Sequence, residues 1–387
     1  MKKELKKEDD HLETVTNKVG EIAVQYGFTV VKPPHITNSH AASAKQFKDF
    51  DYYGDSEEKI SITHWYMDQK LENQGQPITI HYKKPSGVMA AKKKNTHDTY
   101  GFEIMGSTKS TSEALLVKCV LSILGELGYK NLCVDINSIG DRESIGRFER
   151  ELGSYYRKHM HALPAKTRQD FKKNHYCILT DDSSENEAFR SGAPSTLGSL
   201  SDVARLHFKE VLESIEAFDV AYKIKSSVLS NKHYASYTVF EVRSDEELVA
   251  YGYRYNHLAK KLGSKRDIPS IGATIIVKKT PATAKKILIK NIKKPRFYLV
   301  QLGGVAKLKA LNVVEMLRKE KIPVYHSITK DKITGQLSGA EYMHATHVLI
   351  MGQKEAIENT IVVRNIITRA QETVSLDKLP EFLKNLK

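Results

Sequence analysis

The sequence predicts an α+β protein built as two successive domains, and three observations lead there. Tyr237–Val242 and Glu247–Tyr253 are both rich in β-branched and aromatic residues and are separated by a short charged turn, the pattern of an antiparallel strand pair. From Phe297 onward the pattern changes to alternating strand-length and helix-length segments, as in a small α/β domain. The chain has 387 residues, 40% hydrophobic and 27% charged, which is enough for two or three cores of ordinary globular composition.

The elements follow in order. Residues 1–20, opening MKKELKKEDDHLE, read as an amphipathic helix with its charges outward. Phe28–Val31 reads as a strand closed by Pro33 and Pro34. Residues 45–75 are polar and carry no clear period. Ile78–Tyr82 alternates as a strand does, and Gly101–Gly106 reads as another. Ser112–Leu127 is apolar on most faces, hence a buried helix, and Leu132–Ile136 is a strand. Asp141–His159 has helical period with charges outward, 165–200 is irregular, and Asp202–Phe218 is an amphipathic helix. Ile271–Val277 is an apolar strand, and the lysine-rich Lys278–Pro295 reads as the domain junction. Beyond it come strand Phe297–Leu302, helix Val305–Lys319, strand Ile322–Tyr325, helix Ile333–Met343, strands His347–Met351 and Thr360–Arg364, and a closing helix from Leu376. A mixed, mostly parallel sheet is expected there.

Composition narrows the setting. No apolar run approaches the ~18–20 residues of a membrane helix. The N-terminus has no apolar stretch of the secretory kind, so a cytoplasmic protein is expected. The three cysteines are too few and scattered for a disulfide framework or a zinc site. The histidines form no helical metal spacing, so no metal is expected. There are 60 basic against 46 acidic residues, a net charge of +14, which suits a polyanionic partner. Residues 260–295 carry eleven basic residues and one acid, Asp267, and 83–94 carry five lysines and no acid. Phosphate-facing surface and plain solvated face both remain open for these runs.

Several strings resemble the histidyl-tRNA synthetases, which are class II aminoacyl-tRNA synthetases. Asn137-Ser138-Ile139-Gly140, Leu206-His207-Phe208, Thr238-Val239-Phe240-Glu241, Gly252-Tyr253-Arg254-Tyr255, Pro269-Ser270-Ile271-Gly272 and Glu103-Ile104-Met105-Gly106 match family segments in order. After Phe297, the runs 335–343, 348–356 and 362–374 resemble the family's anticodon-binding domain in order, spacing and residue class. The resemblance implies a class II synthetase-like antiparallel sheet core over residues 1–295, with a helical insertion around 145–200. An anticodon-binding-like α/β domain over 296–387 would follow. It also implies a homodimer joined around Val15–Pro34, and tRNA or another structured RNA as partner.

The family's chemistry, however, has been replaced position by position. Forming an aminoacyl adenylate concentrates negative charge at a phosphorus, and arginine forks serve that transition state best. The motif 2 arginine falls near Lys84. The arginine opening "R-G-L-D-Y-Y" becomes Ser230 and its aspartate His233, leaving Tyr234 as the last intact tyrosine. Motif 3 "G-x-E-R" aligns with Ile276 to Lys279, so its glycine becomes Ile276 and its arginine Lys279. The acid-bearing loop expected between Phe50 and Gln76 is missing, and the glutamine before "E-V-F-G" becomes Thr99. Each good phosphate contact contributes on the order of 2–4 kcal/mol, so three losses remove many decades of rate.

The degenerate pocket would be lined by Lys84, Glu103, Ser230, Tyr234, Arg254 and Lys279. For each a structural role stands beside the functional one. Glu103 would pair with a local lysine, Tyr234 would be a buried tyrosine with a satisfied hydroxyl, and Arg254 with Tyr255 would be a surface strand pair. The RNA contacts implied on the C-terminal domain are Lys330, Lys332, Gln336, Lys354, Arg364 and Arg369. The leading expectation is a synthetase-like protein that binds tRNA, needs no cofactor and does not form histidyl-adenylate. Two rivals stay open: an active histidine-tRNA ligase using ATP and Mg²⁺ with lysines in place of arginines, and a regulatory subunit of a biosynthetic enzyme.

Overall fold

The computed structural model describes residues 12–386 apart from 34, 85–95, 181–182, 219, 293–294, 329 and 331. Most of the predicted lysine run at 83–94, and the first half of the predicted N-terminal helix, lie outside the described residues. What is described of that helix starts later than predicted. Val15–Thr16 is extended, and helix α1 spans Lys18–Gln25. Asn17 sets its start, its side-chain oxygen accepting from the Val19 amide at 3.0 Å.

The first sheet has eight strands: β1 Thr29–Val30, β2 Ile78–Lys83, β3 His97–Met105, β4 Leu132–Gly140, β5 Tyr222–Ile224, β6 Ser236–Ser244, β7 Glu247–Arg254 and β8 Ser270–Lys278. Their spatial order is β1-β2-β3-β8-β7-β6-β4-β5. The five inner pairings are antiparallel, and only the two edge pairings are parallel. The fold class is therefore α+β with an antiparallel-rich core, as the sequence predicts.

Two layers cover this sheet. On one face lie α1 and the long helix α3 (Thr111–Glu126), whose apolar residues Leu116, Val120, Ile123 and Leu124 meet Phe102, Ile104 and Ile275 in one cluster. On the other face lies α2 (Ser56–Asp68), within the stretch 45–75 whose sequence shows no clear period. Its hydrophobic and polar residues are both buried, which erases the amphipathic signal. The helix that opens the region read as an insertion packs on this second face too. Helix α4 (Arg142–His159) sends Phe148, Leu152 and Tyr156 into a cluster with Tyr234, Tyr253 and Tyr255. Gly140 makes the turn into α4. It sits at φ +74°, and a Cβ there would lie 2.3 Å from that of Ser144. The neighbouring Asp141 caps α4 by accepting from the Ser144 amide at 2.9 Å. Helix α5 (Asp202–Glu216) lies beside β4 and α3.

The second sheet holds β9 Phe297–Gln301, β10 Val324–His326, β11 His347–Met351, β12 Thr360–Asn365 and β13 Gln371–Ser375, in the order β10-β9-β11-β12-β13. Its helices are α6 Gly304–Lys319, α7 Ile333–Tyr342, α8 Gln353–Glu358 and α9 Leu379–Asn385. The prediction of a mostly parallel sheet is only half right. The pairings β9–β10 and β9–β11 are parallel, whereas β11–β12 and β12–β13 are antiparallel. Strand β13 is polar on its exposed positions and carries little strand signal of its own.

The predicted junction is no loose linker. Ile287–Leu288 pairs with Val15–Thr16, and the two sheets share one apolar cluster running from Val19 and Leu116 to Leu311 and Val314. Glu315 on α6 is the polar centre of this contact. It accepts from Tyr26 at 2.6 Å, Ser122 at 3.1 Å and its own helix neighbour Arg318 at 2.8 Å. Burial alone would raise the Glu315 carboxyl, but those donors hold it below its ordinary value. Among the described residues no helix is long and apolar enough to cross a membrane.

Candidate functional site

The polar centre of the first sheet is Glu103 on β3, fully buried. It is held there because its partner across β8 is a glycine. Glu103 pairs with Gly272, and a Cβ on Gly272 would lie 1.9 Å from Glu103 Oε2 and 2.4 Å from Lys59 Nζ. Only glycine leaves room for this pair.

Every acceptor of Glu103 is used from within the chain. Lys59 Nζ donates to Oε1 at 2.6 Å, Tyr82 donates to the same oxygen at 3.2 Å, and Tyr255 donates to Oε2 at 2.7 Å. Lys59 is 1% exposed, and its ammonium also sits 5.1 Å from the Tyr255 ring centre and 5.5 Å from that of Tyr253. Burial disfavours the charge on Lys59, but Glu103, Asp55 and Glu58 outweigh it and hold the ammonium above its ordinary value. Glu103 is pushed up by burial and drawn back by Lys59.

A second pair lies alongside. Lys84 Nζ is 2.5 Å from Glu58 and donates to Thr274 Oγ1 at 2.6 Å, while Tyr82 donates to Glu58 at 2.6 Å. Asp55, at the start of α2, accepts from Tyr253 at 2.7 Å, and its other oxygen is buried without a partner among the described residues. Burial raises the Asp55 carboxyl. The arrangement is a closed network of three carboxylates and two ammonium groups under a layer of tyrosines.

The predicted pocket residues fall into separate places. Glu103 and Lys84 are in this network, and Glu103 does pair with a lysine, though not a local one: Lys59 is brought in from α2. Tyr234 is buried at its edge, its hydroxyl 2.9 Å from Ser56 Oγ. Ser230 is buried, and its hydroxyl has no partner among the described groups. Lys279 is exposed at the far end of β8, where its amide donates to Thr96. Arg254 is not the surface residue that one reading of the sequence expects. It is fully buried and grips Glu113 of α3 with two bonds of 2.8 and 2.5 Å, while donating to the Ser107 carbonyl at 2.6 Å. Arg254 and His207 hold Glu113 down at about 2 against its burial. Sequence reasoning missed Asp55, Glu58 and Lys59, because nothing in 45–75 marks which charged side chains turn inward.

The C-terminal residues divide likewise. Gln336 is a correction: it is fully buried, exchanging bonds of 3.0 and 2.9 Å with the Gln301 backbone, and has no surface to offer RNA. Lys330 and Lys332 follow β10 and Lys354 opens α8 after β11, so all three lie at the C-terminal edge of parallel strands, with Lys332 and Lys354 exposed. Arg364 stands opposite Val348 near the start of β11, and exposed Arg369 lies in the turn beyond. The set thus spans both ends of the second sheet.

Residues 296–386 match the anticodon binding domain family. Along most of the chain the similarity is to histidine–tRNA ligases. That of Anoxybacillus flavithermus is 27% identical over 354 residues, 89% of this chain and 80% of the relative. That of Halothermothrix orenii is 28% identical, over 84% of this chain and 80% of the relative. Over most of its length this chain is similar to the histidyl-tRNA synthetases. The family's fold is present as well: apo histidyl-tRNA synthetase of S. aureus superposes with a TM-score of 0.51 at 20% identity, over 95% of this chain and 94% of that one.

Proposed function

We infer that this chain is a member of the histidyl-tRNA synthetase family, binds tRNA or a tRNA-like RNA and does not form histidyl-adenylate. One observation carries the reading: Glu103, the acid retained from the family segment, has both oxygens taken by Lys59, Tyr82 and Tyr255 in a fully buried pair. A substrate ammonium would have to displace Lys59 and leave it buried without its partner, which is strongly unfavourable. The positions of the family arginines point the same way. Lys84 is held by Glu58, Ser230 is uncharged and buried, and Lys279 lies out at the end of its strand.

RNA binding rests on the anticodon-binding domain match and on the basic residues at both ends of its sheet, Lys330, Lys332 and Lys354 at one and Arg364 and Arg369 at the other. We take the protein to be cytoplasmic and homodimeric through the surface around Val15–Pro34. The test is a pair of assays on the purified protein. Histidine-dependent ATP–pyrophosphate exchange should stay at background, while total tRNA should be bound with an affinity that falls as salt rises. Exchange above background would make the ligase reading correct and Lys84 or Lys279 a phosphate ligand. Absence of both signals would leave the regulatory-subunit reading.

A further inference from the structure

The segment from Thr37 to Tyr53 packs on the tyrosine layer. The Phe47 ring meets that of Tyr234 edge-on at 5.3 Å, and the Phe47 carbonyl accepts from Asn231 Nδ2 at 3.3 Å. Tyr53 stacks on Tyr251 at 4.0 Å and donates to Glu241 at 3.2 Å. Aromatic packing therefore holds the second half of the segment. The first half, the helix Asn38–Ala44, buries only Ala44 and depends on polar contacts.

Those contacts centre on His40. The Thr37 hydroxyl accepts from the His40 amide at 3.4 Å, and His40 Nδ1 accepts from the Thr37 amide at 3.2 Å, a capping box. Glutamate or glutamine is the usual residue at this place in the box, and an imidazole can serve there only while Nδ1 is bare. The His40 ring lies on the ring of His64 in α2, with centres 5.2 Å apart and planes 17° apart. The other titratable groups within reach are Asp68, one turn beyond His64, and His35, before the helix. Burial and the neighbouring His64 hold the His40 imidazole below its ordinary value, and Asp68 only partly opposes them.

We propose that His40 and His64 form an acid-released latch on this segment. Protonating His40 does two things at once. It places a hydrogen on Nδ1, so the Thr37 amide loses its acceptor and the box opens. It also sets a positive charge against the face of a second imidazole. The helix then loosens, while Phe47 and Tyr53 stay seated on the layer below. The fold selects the neutral ring, so the stabilisation is complete above the ordinary histidine value and is lost as pH falls below it.

Hydrogen exchange on the full-length protein tests this, with each amide rate at pH 8 and pH 5 divided by the intrinsic rate at that pH. Protection of the amides of 41–45 should fall about fivefold from pH 8 to pH 5, the loss expected for one capping bond, while that of α3 stays constant. His40→Gln restores the usual box residue and should keep the native protection at both pH values. His64→Phe keeps the ring contact without the charge and should show a smaller fall than the native chain. Equal protection of the native helix at the two pH values overturns the proposal. So does a fall in His40→Gln as large as the native one, or protection already missing from that variant at pH 8. A fall in His64→Phe as large as the native one overturns the part given to the pair.

Discussion

Replacing Lys59 by methionine probes the internal pairing directly. Methionine keeps the length and flexibility of the stem and deletes the charge. Glu103 then remains fully buried with only the Tyr255 donor at 2.7 Å and the longer Tyr82 donor at 3.2 Å. Removing one member of a buried ion pair costs about 3–5 kcal/mol, because the other charge is left uncompensated. The unfolding entropy is about 2.1 cal/mol/K per residue, or about 0.8 kcal/mol/K over this chain, so the melting temperature should fall by about 4–6 °C. A second substitution, Glu103→Gln, should recover most of that loss, since the amide oxygen still accepts from Tyr255 and no charge remains. The deficit of Lys59→Met should also shrink as pH falls. Glu103 is already raised by burial, loses the ammonium that draws it back, and protonates at higher pH than before, which removes the uncompensated charge. The measurements are calorimetric melts of the native chain, both single variants and the double variant at pH 8 and pH 5. A cost of Lys59→Met under about 1 kcal/mol, an equal cost in the Glu103→Gln background, or the same deficit at both pH values would refute this account of the pair.

Three further outcomes follow from the geometry. Glu113 has its folded value depressed to about 2, below the ordinary value, so it stabilises the fold above that ordinary value and the contribution disappears as pH falls from about 5 toward 2. With the residue fully buried, the contribution is about 3 kcal/mol; Glu113→Gln should lose it at neutral pH and show a flatter acid limb in denaturant titrations. Arg364→Ala and Arg369→Ala should each weaken tRNA binding and lower the salt slope by about one ion, whereas Gln336→Ala should leave the slope alone and cost about 1–3 kcal/mol of stability. A gel-shift series over salt separates the two classes, and an unchanged slope in both arginine variants removes those residues from the RNA surface. Glu315→Ala takes the central acceptor from Tyr26, Ser122 and Arg318, so trypsin should cut the Lys285–Lys290 stretch faster than in the native chain. An unchanged rate would mean that the shared apolar cluster alone fixes the two domains.

The antiparallel core was legible because its strands are long and apolar and keep their period. β6, β7 and β8 were all read within two residues of their observed bounds, and so were the buried helix α3 and the capped helix α4, whereas β4 was read from its correct start but four residues short. The C-terminal domain was legible in its order of elements and in the family resemblance together. What failed did so for local physical reasons. Helix α2 buries Ser56, Lys59, Ser61 and Thr63 with Ile60 and Ile62, so its sequence has no amphipathic stripe to detect. Strand β13 gains its conformation by pairing with β12 rather than from its own residues.

The sequence by itself determined which side chains are available for chemistry, because residue type does not depend on folding: Lys84, Ser230 and Lys279 offer no arginine fork however the chain folds. It also determined the basic balance and the antiparallel pattern of the core. Only the tertiary structure decided which partners the buried charged groups meet. Lys59 and Glu103 are 44 residues apart and meet because α2 lies over β3 where Gly272 leaves room. Arg254 is taken inward by Glu113, 141 residues earlier, and Gln336 by Gln301 across the α7–β9 contact. Such partners are chosen by packing between distant segments, and a single sequence carries no local period that marks them.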